Sequence, residues 1–234
     1  MNLKEQIDES WHEIIFPIIH QEPLKTLNEE ILPNISFQPS KENIFRVFNK
    51  PLKSIKIVIL GQDPYPTSGD AIGLSFINGR NRIPVSLKNI YKEIKDSTNT
   101  ETVNPLSWEN QGVFLLNTAL TVETGNAGSH LIHWKNFIRK IIHYISIKNP
   151  CIWLLWGKKA EIFSVYINNK FNVKGYDKET IKQIPTNEDL NYIMTAPHPA
   201  AESYANGKAG FFGCNHFYYV NEIINNKKLK KINW

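Results

Sequence analysis

Polar residues able to do chemistry stand directly behind four short apolar runs. Gln62-Asp63-Pro64-Tyr65 follows residues 55–61 (IKIVILG), and Asn117-Thr118 closes the apolar part of 112–119 (GVFLLNTA). Lys158-Lys159 follows 151–157 (CIWLLWG), and His198 stands between two prolines after 192–197 (YIMTAP). An ionised Asp63 can hold a water and favour a cationic centre; the same Asp can equally cap a backbone N–H in a turn before Pro64. Asn117 offers a donor and an acceptor together, or makes ordinary hydrogen bonds at a strand end. His198 is a candidate hydrogen-bond donor with a restricted backbone, or a surface loop histidine. The lysine pair attracts phosphate or is simply solvated, and the tail at 227–231 (KKLKK) carries the same two readings.

The elements that must position these groups are legible as patterns. The four runs are short, mostly apolar and bounded by glycine or proline, as buried strands are. Between them, 86–96 places Leu87, Ile90, Tyr91 and Ile94 on one helical face, with Ser86 as N-cap. Residues 134–147 place Phe137, Ile138, Ile141 and Ile145 at helical spacing. A further helix starting at Pro39-Ser40 is expected to carry Ile44, Phe45 and Phe48. Strands alternating with helices predict an α/β fold, a three-layer α/β/α sandwich around a four-stranded parallel sheet, in one domain spanning 1–234. Ligands in such sheets bind beyond the carboxyl ends of the strands. If the strands are parallel neighbours, an Asp, an Asn, a His and two Lys converge at one edge. Residues 162–191 are polar and read as a surface excursion.

Composition excludes more than it selects. The chain has 234 residues, 41% hydrophobic and 21% charged, with a formal net charge of +5. This is an ordinary globular balance with a mild preference for polyanions. The two cysteines, Cys151 and Cys214, form no CxxC pair, so a zinc or iron–sulfur site is not expected. The opening MNLKEQIDESW has acids and no apolar segment, and no run approaches membrane-spanning length. An intracellular, cytoplasmic setting with no membrane partner is the expectation. Neither GxGxxG nor GxxxxGK[ST] occurs, which argues against a small-nucleotide binder.

Six ordered blocks carry a resemblance. They are Gly61-Gln62-Asp63-Pro64-Tyr65, Gly73-Leu74-Ser75-Phe76, Ser86 to Tyr91, Leu115 to Val122 followed by Ser129-His130, Ala196-Pro197-His198-Pro199, and Gly210 to Phe217, with Ile232-Asn233-Trp234 at the end. Together they resemble the family-one uracil-DNA glycosylases from about Pro39 to the terminus. The resemblance implies a monofunctional glycosylase without metal or cofactor that flips uracil out of DNA and initiates base-excision repair. It implies Asp63 as the water-activating carboxylate and His198 as a neutral donor to uracil O2. Asn117 would read uracil O4 and N3–H, Phe76 would stack on the base, and Tyr65 would exclude the thymine methyl. Gln62 would contribute its backbone N–H. DNA contacts would fall on Pro84, Ser86, Gly157, Lys158, Pro199, Glu202, Ser203 and Tyr204. The implied partners are single- or double-stranded uracil-containing DNA and protein inhibitors that mimic DNA, with the chain a monomer.

The departures from the family lie mainly in the DNA loops. Pro66 replaces the usual His, and Gly157-Lys158 replaces Gly-Ser. The family's Ser-Pro-Leu-Ser after His-Pro becomes Ala200-Ala201-Glu202-Ser203-Tyr204, and the loop continues through 205–209 (ANGKA). Counting puts Glu202 where the wedging Leu belongs, with Tyr204 as a substitute wedge. These changes bear on duplex flipping more than on chemistry. They leave open a preference for single strands, a DNA-binding accessory factor with little activity, or a glycosylase for another modified base.

Overall fold

The computed structural model describes residues 3–80, 82–102, 104–173 and 183–234. Its strands are β1 (Phe37–Gln38), β2 (Ile57–Gly61), β3 (Val113–Asn117), β4 (Val122–Glu123), β5 (Ile152–Trp156), β6 (Lys170–Asn172) and β7 (Asn191–Ala196). The helices that matter for the site are α1 (His12–Ile19), α2 (Val85–Thr98), α3 (Leu131–Lys148), α4 (Lys158–Glu161), α5 (Ala201–Tyr204) and α6 (His216–Asn226). The main sheet runs β3-β2-β5-β7-β6 with every neighbouring pair parallel. β1 and β4 form a separate antiparallel pair.

Every residue of β2, β3 and β5 is buried, as expected where helices cover both faces. The register shows how the layers are divided. Val58 pairs with both Phe114 and Trp153, so these three side chains share a face. Trp156 lies three residues beyond Trp153 and therefore points to the other face. On the first face Phe114 stacks on Trp11 at 5.4 Å and meets Phe48, which in turn packs on Phe137 of α3. On the second face Trp156 meets Phe211 at 5.2 Å and Phe217 of α6 at 5.9 Å. α1 packs on α3 and α2 on α6, which completes three layers. Among the described residues no helix is long and apolar enough to cross a membrane.

Three local expectations need correction. The sheet has a fifth strand, β6, inside the stretch read as irregular. It is an edge strand of only three residues, too short and polar to signal itself. Residues 174–182 of that stretch lie outside the described residues. The helix expected after Pro39-Ser40 is instead two 3₁₀ turns, Lys41–Asn43 and Arg46–Asn49. Near three residues per turn, positions three apart eclipse, so Phe45 and Phe48 both reach the aromatic cluster. Ser86 is not an N-cap, because α2 starts one residue earlier behind Pro84, and its hydroxyl faces inward.

His216, at the start of α6, is fully buried and accepts a hydrogen bond from Trp156 Nε1 at 3.0 Å through Nδ1. Burial pushes its pKa down to about 3. The folded chain keeps this ring neutral, while the unfolded chain takes up a proton below about 6.5. Stability therefore falls as pH drops from about 6.5 towards about 3. Thermal unfolding scans across that range should show a shallower acid slope for His216→Asn than for the wild type.

Candidate active site

The site grows from the carboxyl ends of β2, β3, β5 and β7. Gly61 pairs with Asn117 across β2 and β3. A Cβ on Gly61 would lie 2.4 Å from Asn117 Oδ1 and 2.6 Å from Ser75 Cβ, so only glycine leaves room for the amide. The two following loops are clasped together. Thr118 N donates to Gly61 O at 3.0 Å, while Ala119 N (3.0 Å) and Thr118 Oγ1 (2.6 Å) donate to Gln62 O. These bonds set the orientation of the peptide at Gln62. The Asn117 side chain is buried and has no hydrogen-bond partner among the described residues. An amide held this way is poised for a ligand.

Asp63 is half-buried beside it. Its Oδ1 accepts from Gln62 Nε2 at 2.9 Å and its Oδ2 from the Gly128 backbone N–H at 2.5 Å. A local turn would use an N–H two residues on; this donor lies 65 residues away and belongs to the segment after β4. The carboxylate is thus oriented by tertiary structure. Burial raises its pKa above the usual value, although Gly128, Gln62 and the charge of Lys159 all pull the other way.

His198 follows β7. The Ala200 backbone N–H donates to its Nδ1 at 3.2 Å. A neutral imidazole that accepts at Nδ1 carries its proton on Nε2, so the ring offers an N–H donor. Burial first and the Lys159 charge second lower its pKa, which keeps it neutral. Gly157 makes space for the backbone and Cβ of His198: its φ is +86°, and a Cβ there would lie 3.0 Å from His198 Cβ. Gly157 was expected as a DNA contact, and its evident structural role is this clearance.

Phe76 adopts φ +63°, an uncommon conformation for a bulky residue. It is held there from several sides. Ser75 N donates to Leu115 O at 3.0 Å, and Tyr65 Oη donates to Phe76 O at 3.0 Å. The Phe76 ring meets Trp156 at 5.5 Å and His198 at 5.9 Å. A strained backbone persists only where its surroundings over-determine it, as they do here. Tyr65 is anchored through its hydroxyl, which also lies 3.5 Å from Ser86 Oγ. A cavity of about 290 Å³ opens here, lined among others by Gly61, Gln62, Trp156, Lys158, Lys159 and His198.

The expected DNA-contact residues divide. Lys158, Ser203 and Tyr204 are exposed, Tyr204 at 88%. Pro84 is half-buried beside exposed Ile83 and Val85. Pro199 and Ser86 are buried. Glu202 is a correction: it is 2% exposed and turned away from the surface. Its carboxylate accepts backbone N–H groups from Ala209 (3.0 Å), Phe211 (2.5 Å) and Phe212 (2.9 Å), so it holds the loop from within instead of facing DNA.

A family model described as the uracil DNA glycosylase superfamily matches residues 49–225. The chain belongs to this superfamily. Proteins named uracil-DNA glycosylase are similar along nearly its whole length. That of Buchnera aphidicola subsp. Acyrthosiphon pisum is 39% identical over 218 residues, covering 90% of this chain and 89% of the relative. That of Fusobacterium nucleatum is 36% identical, covering 98% and 96%. The crystal structure of mimivirus uracil-DNA glycosylase superposes with a TM-score of 0.74 at 25% identity, over all of this chain and 89% of the other. A mimivirus UNG variant in complex with UGI gives 0.79 at 25% identity, covering 100% and 91%.

Several residues that build this superfamily site escaped sequence reading. Gly128 orients Asp63, and Asn89 Nδ2 binds Pro199 O at 2.8 Å and Ser203 Oγ at 3.2 Å. Glu93, fully buried in α2, accepts from Gly213 N at 2.7 Å and Asn215 N at 2.8 Å. The one available signal was Glu93 itself, a charged residue at the edge of the apolar stripe of α2. Because Lys159 lowers the pKa of both Asp63 and His198, Lys159→Ala should raise both. NMR titration of His198 should give a midpoint below 6.5 in the wild type, shifted upward in the variant.

Proposed function

We propose that this chain is a uracil-DNA glycosylase that hydrolyses the N-glycosidic bond of a flipped deoxyuridine, with water as the nucleophile. The observation that carries this reading is the donor polarity of the edge. One carboxylate (Asp63), one unengaged amide (Asn117) and one Nε2–H (His198) stand along one edge of the sheet, where a cavity lined by Gln62, Lys159 and His198 opens and the Phe76 ring lies against His198. As the bond breaks, its electron pair leaves with uracil and positive charge grows on the sugar. His198 donates to uracil O2 and steadies the departing anion while remaining neutral. Asp63 stabilises the sugar cation and orients a water onto C1′. The water proton passes to the Asp63 carboxylate and on to solvent, and the uracil anion is reprotonated from solvent.

Asn117 presents its amide to O4 and N3–H, a pattern that cytosine reverses. A mismatch there leaves buried polar groups unpaired. Tyr65, fixed by its bond to Phe76 O, occupies the space that a C5 methyl would need. Gln62 presents its backbone N–H to the base. Lys158 and Lys159 attract the DNA backbone. The retained site argues against a mere DNA-binding factor, and Tyr65 against bulkier bases. On this reading the chain acts as a monomer in a single 1–234 domain, inside the cell, initiating base-excision repair without a cofactor. The face that takes DNA would also take a DNA-mimicking inhibitor, as the mimivirus relative takes UGI.

In the loop after His198, the inward pull on Glu202 sends Tyr204 outward at the tip of α5. Tyr204 is the wedge that enters the base stack when uracil leaves it.

Uracil release from matched single- and double-stranded oligonucleotides with EDTA present tests the reading. Asp63→Asn should lose most activity on both. No release by the wild type with DNA binding intact would overturn the assignment. Activity should fall as pH drops through the Asp63 pKa, giving an acid limb above the usual carboxylate range, while the lowered pKa of His198 keeps that ring neutral to a lower pH than an ordinary histidine. Tyr204→Ala should lower duplex kcat/KM about tenfold, a loss within the range of one stacking contact, while single-strand activity stays nearly unchanged. Equal loss on both substrates would rule out the wedge.

A further inference from the structure

The amino ends of β2, β3 and β5 form the pole of the sheet opposite the active site. There a groove of about 530 Å³ is ringed by Lys50, Lys53, Lys56, Lys227, Lys230 and Lys231. The lysines come from two stretches far apart in sequence, 50–56 and 227–231. Lys56 Nζ donates to Lys230 O at 3.0 Å and so ties the stretches together across the groove. The tail, ambiguous as a sequence, is therefore half of a shared surface.

Little negative charge offsets it. Glu109, the acid in the groove wall, is paired with Arg46 at 2.9 Å. Glu222 is paired with Lys231 at 3.1 Å, and Glu188 and Asp189 lie near enough to act on Lys227. Among the described residues Lys50, Lys53, Lys56 and Lys230 form no ion pair. Partial burial first, and repulsion from Lys230 second, hold Lys56 below the ordinary lysine range. Crowded ammonium groups of this kind are relieved by a bound anion.

The chemistry of the ring favours phosphate over carboxylate. All six side chains are lysines, which act as point charges on phosphate oxygens. None is an arginine, whose planar fork matches a carboxylate bidentately. The position excludes the DNA segment already in the active site, because a five-residue strand separates the two poles by about 17 Å and they face opposite ways.

We propose that this lysine groove is a second, sequence-independent phosphate-binding site, which holds a segment of nucleic acid other than the one being repaired. It rests on the reading of the chain as a DNA-acting enzyme and extends it to a protein that grips two segments at once.

The test uses the full chain and the double variant Lys53→Glu/Lys230→Glu, both side chains being exposed and remote from the active site. With uracil-free duplexes of about 12 base pairs at low salt, the wild type should bind two per chain and the variant one. On a longer duplex, the slope of log affinity against log salt should be shallower in the variant by about two. Uracil release from a short single strand should agree within about twofold between the two proteins, which reports fold and active site separately. One duplex per wild-type chain, or equal stoichiometry and slope in both proteins, overturns the proposal. So does an aspartate-rich peptide that binds only the wild type while duplex binding is equal, since the groove would then serve an acidic protein. A wild type without uracil release would count against the active-site reading alone, and the stoichiometry would still decide the groove.

Discussion

The parallel register of β2 with β3 and β5 is the constraint on which the site depends. Ile57 stands beside both Val113 and Ile152, so the three strands start level and end level. Their following loops therefore leave from one line, and Asp63, Asn117 and Lys159 emerge side by side. A slip of one residue would turn every strand side chain to the other face and bury Asn117 in the core. The absence of a side chain at Gly61 is part of the same constraint, because any Cβ would strike the Asn117 amide.

Carboxylates held by backbone N–H groups form a second theme. Asp63, Glu93 and Glu202 each lie in partly or fully desolvated surroundings and are held by backbone donors, from distant segments for Asp63 and Glu93 and from its own loop for Glu202. The balance differs with the number of donors. Burial is the largest influence on all three and pushes each upward. For Glu202, backbone donors at Ala209, Gly210, Phe211 and Phe212 outweigh it and hold the group below the usual value. For Asp63, one backbone N–H and one side-chain amide do not, and for Glu93 two backbone donors and a thiol do not. The group assigned to chemistry is thus left less satisfied than the one that only holds a loop, which is what an acid or base in a site requires.

Glu202 and Glu93 also explain how the loop after His198 keeps a defined shape. Both grip the segment from 209 to 215, Glu202 from within the loop and Glu93 from α2. Successive residues of a helical turn are about 100° apart, so drawing Glu202 inward leaves Tyr204, two positions on, facing out. Asn89 fixes the start of the same loop through Pro199 and Ser203. The loop thus has its own internal fastening.

The sequence by itself determined the residue types at the strand ends, the four central strands and the two long helices α2 and α3, which extend only a few residues beyond their patterns. These follow from local signals: apolar runs of strand length, helical spacing, and glycine or proline at the boundaries. It left open whether Asp63 capped a turn or faced a ligand, and counting along the loop placed Glu202 among the DNA contacts. Tertiary structure supplied the partners of both: the Gly128 N–H that holds Asp63 lies 65 residues along the chain, and the N–H groups that draw Glu202 inward come from the folded-back end of its own loop. It also decided that the tail at 227–231 faces Lys53 and Lys56 across one groove. Periodicity along a chain reports which face a side chain occupies. Only the packed fold brings together groups whose hydrogen bonds and charges act through space.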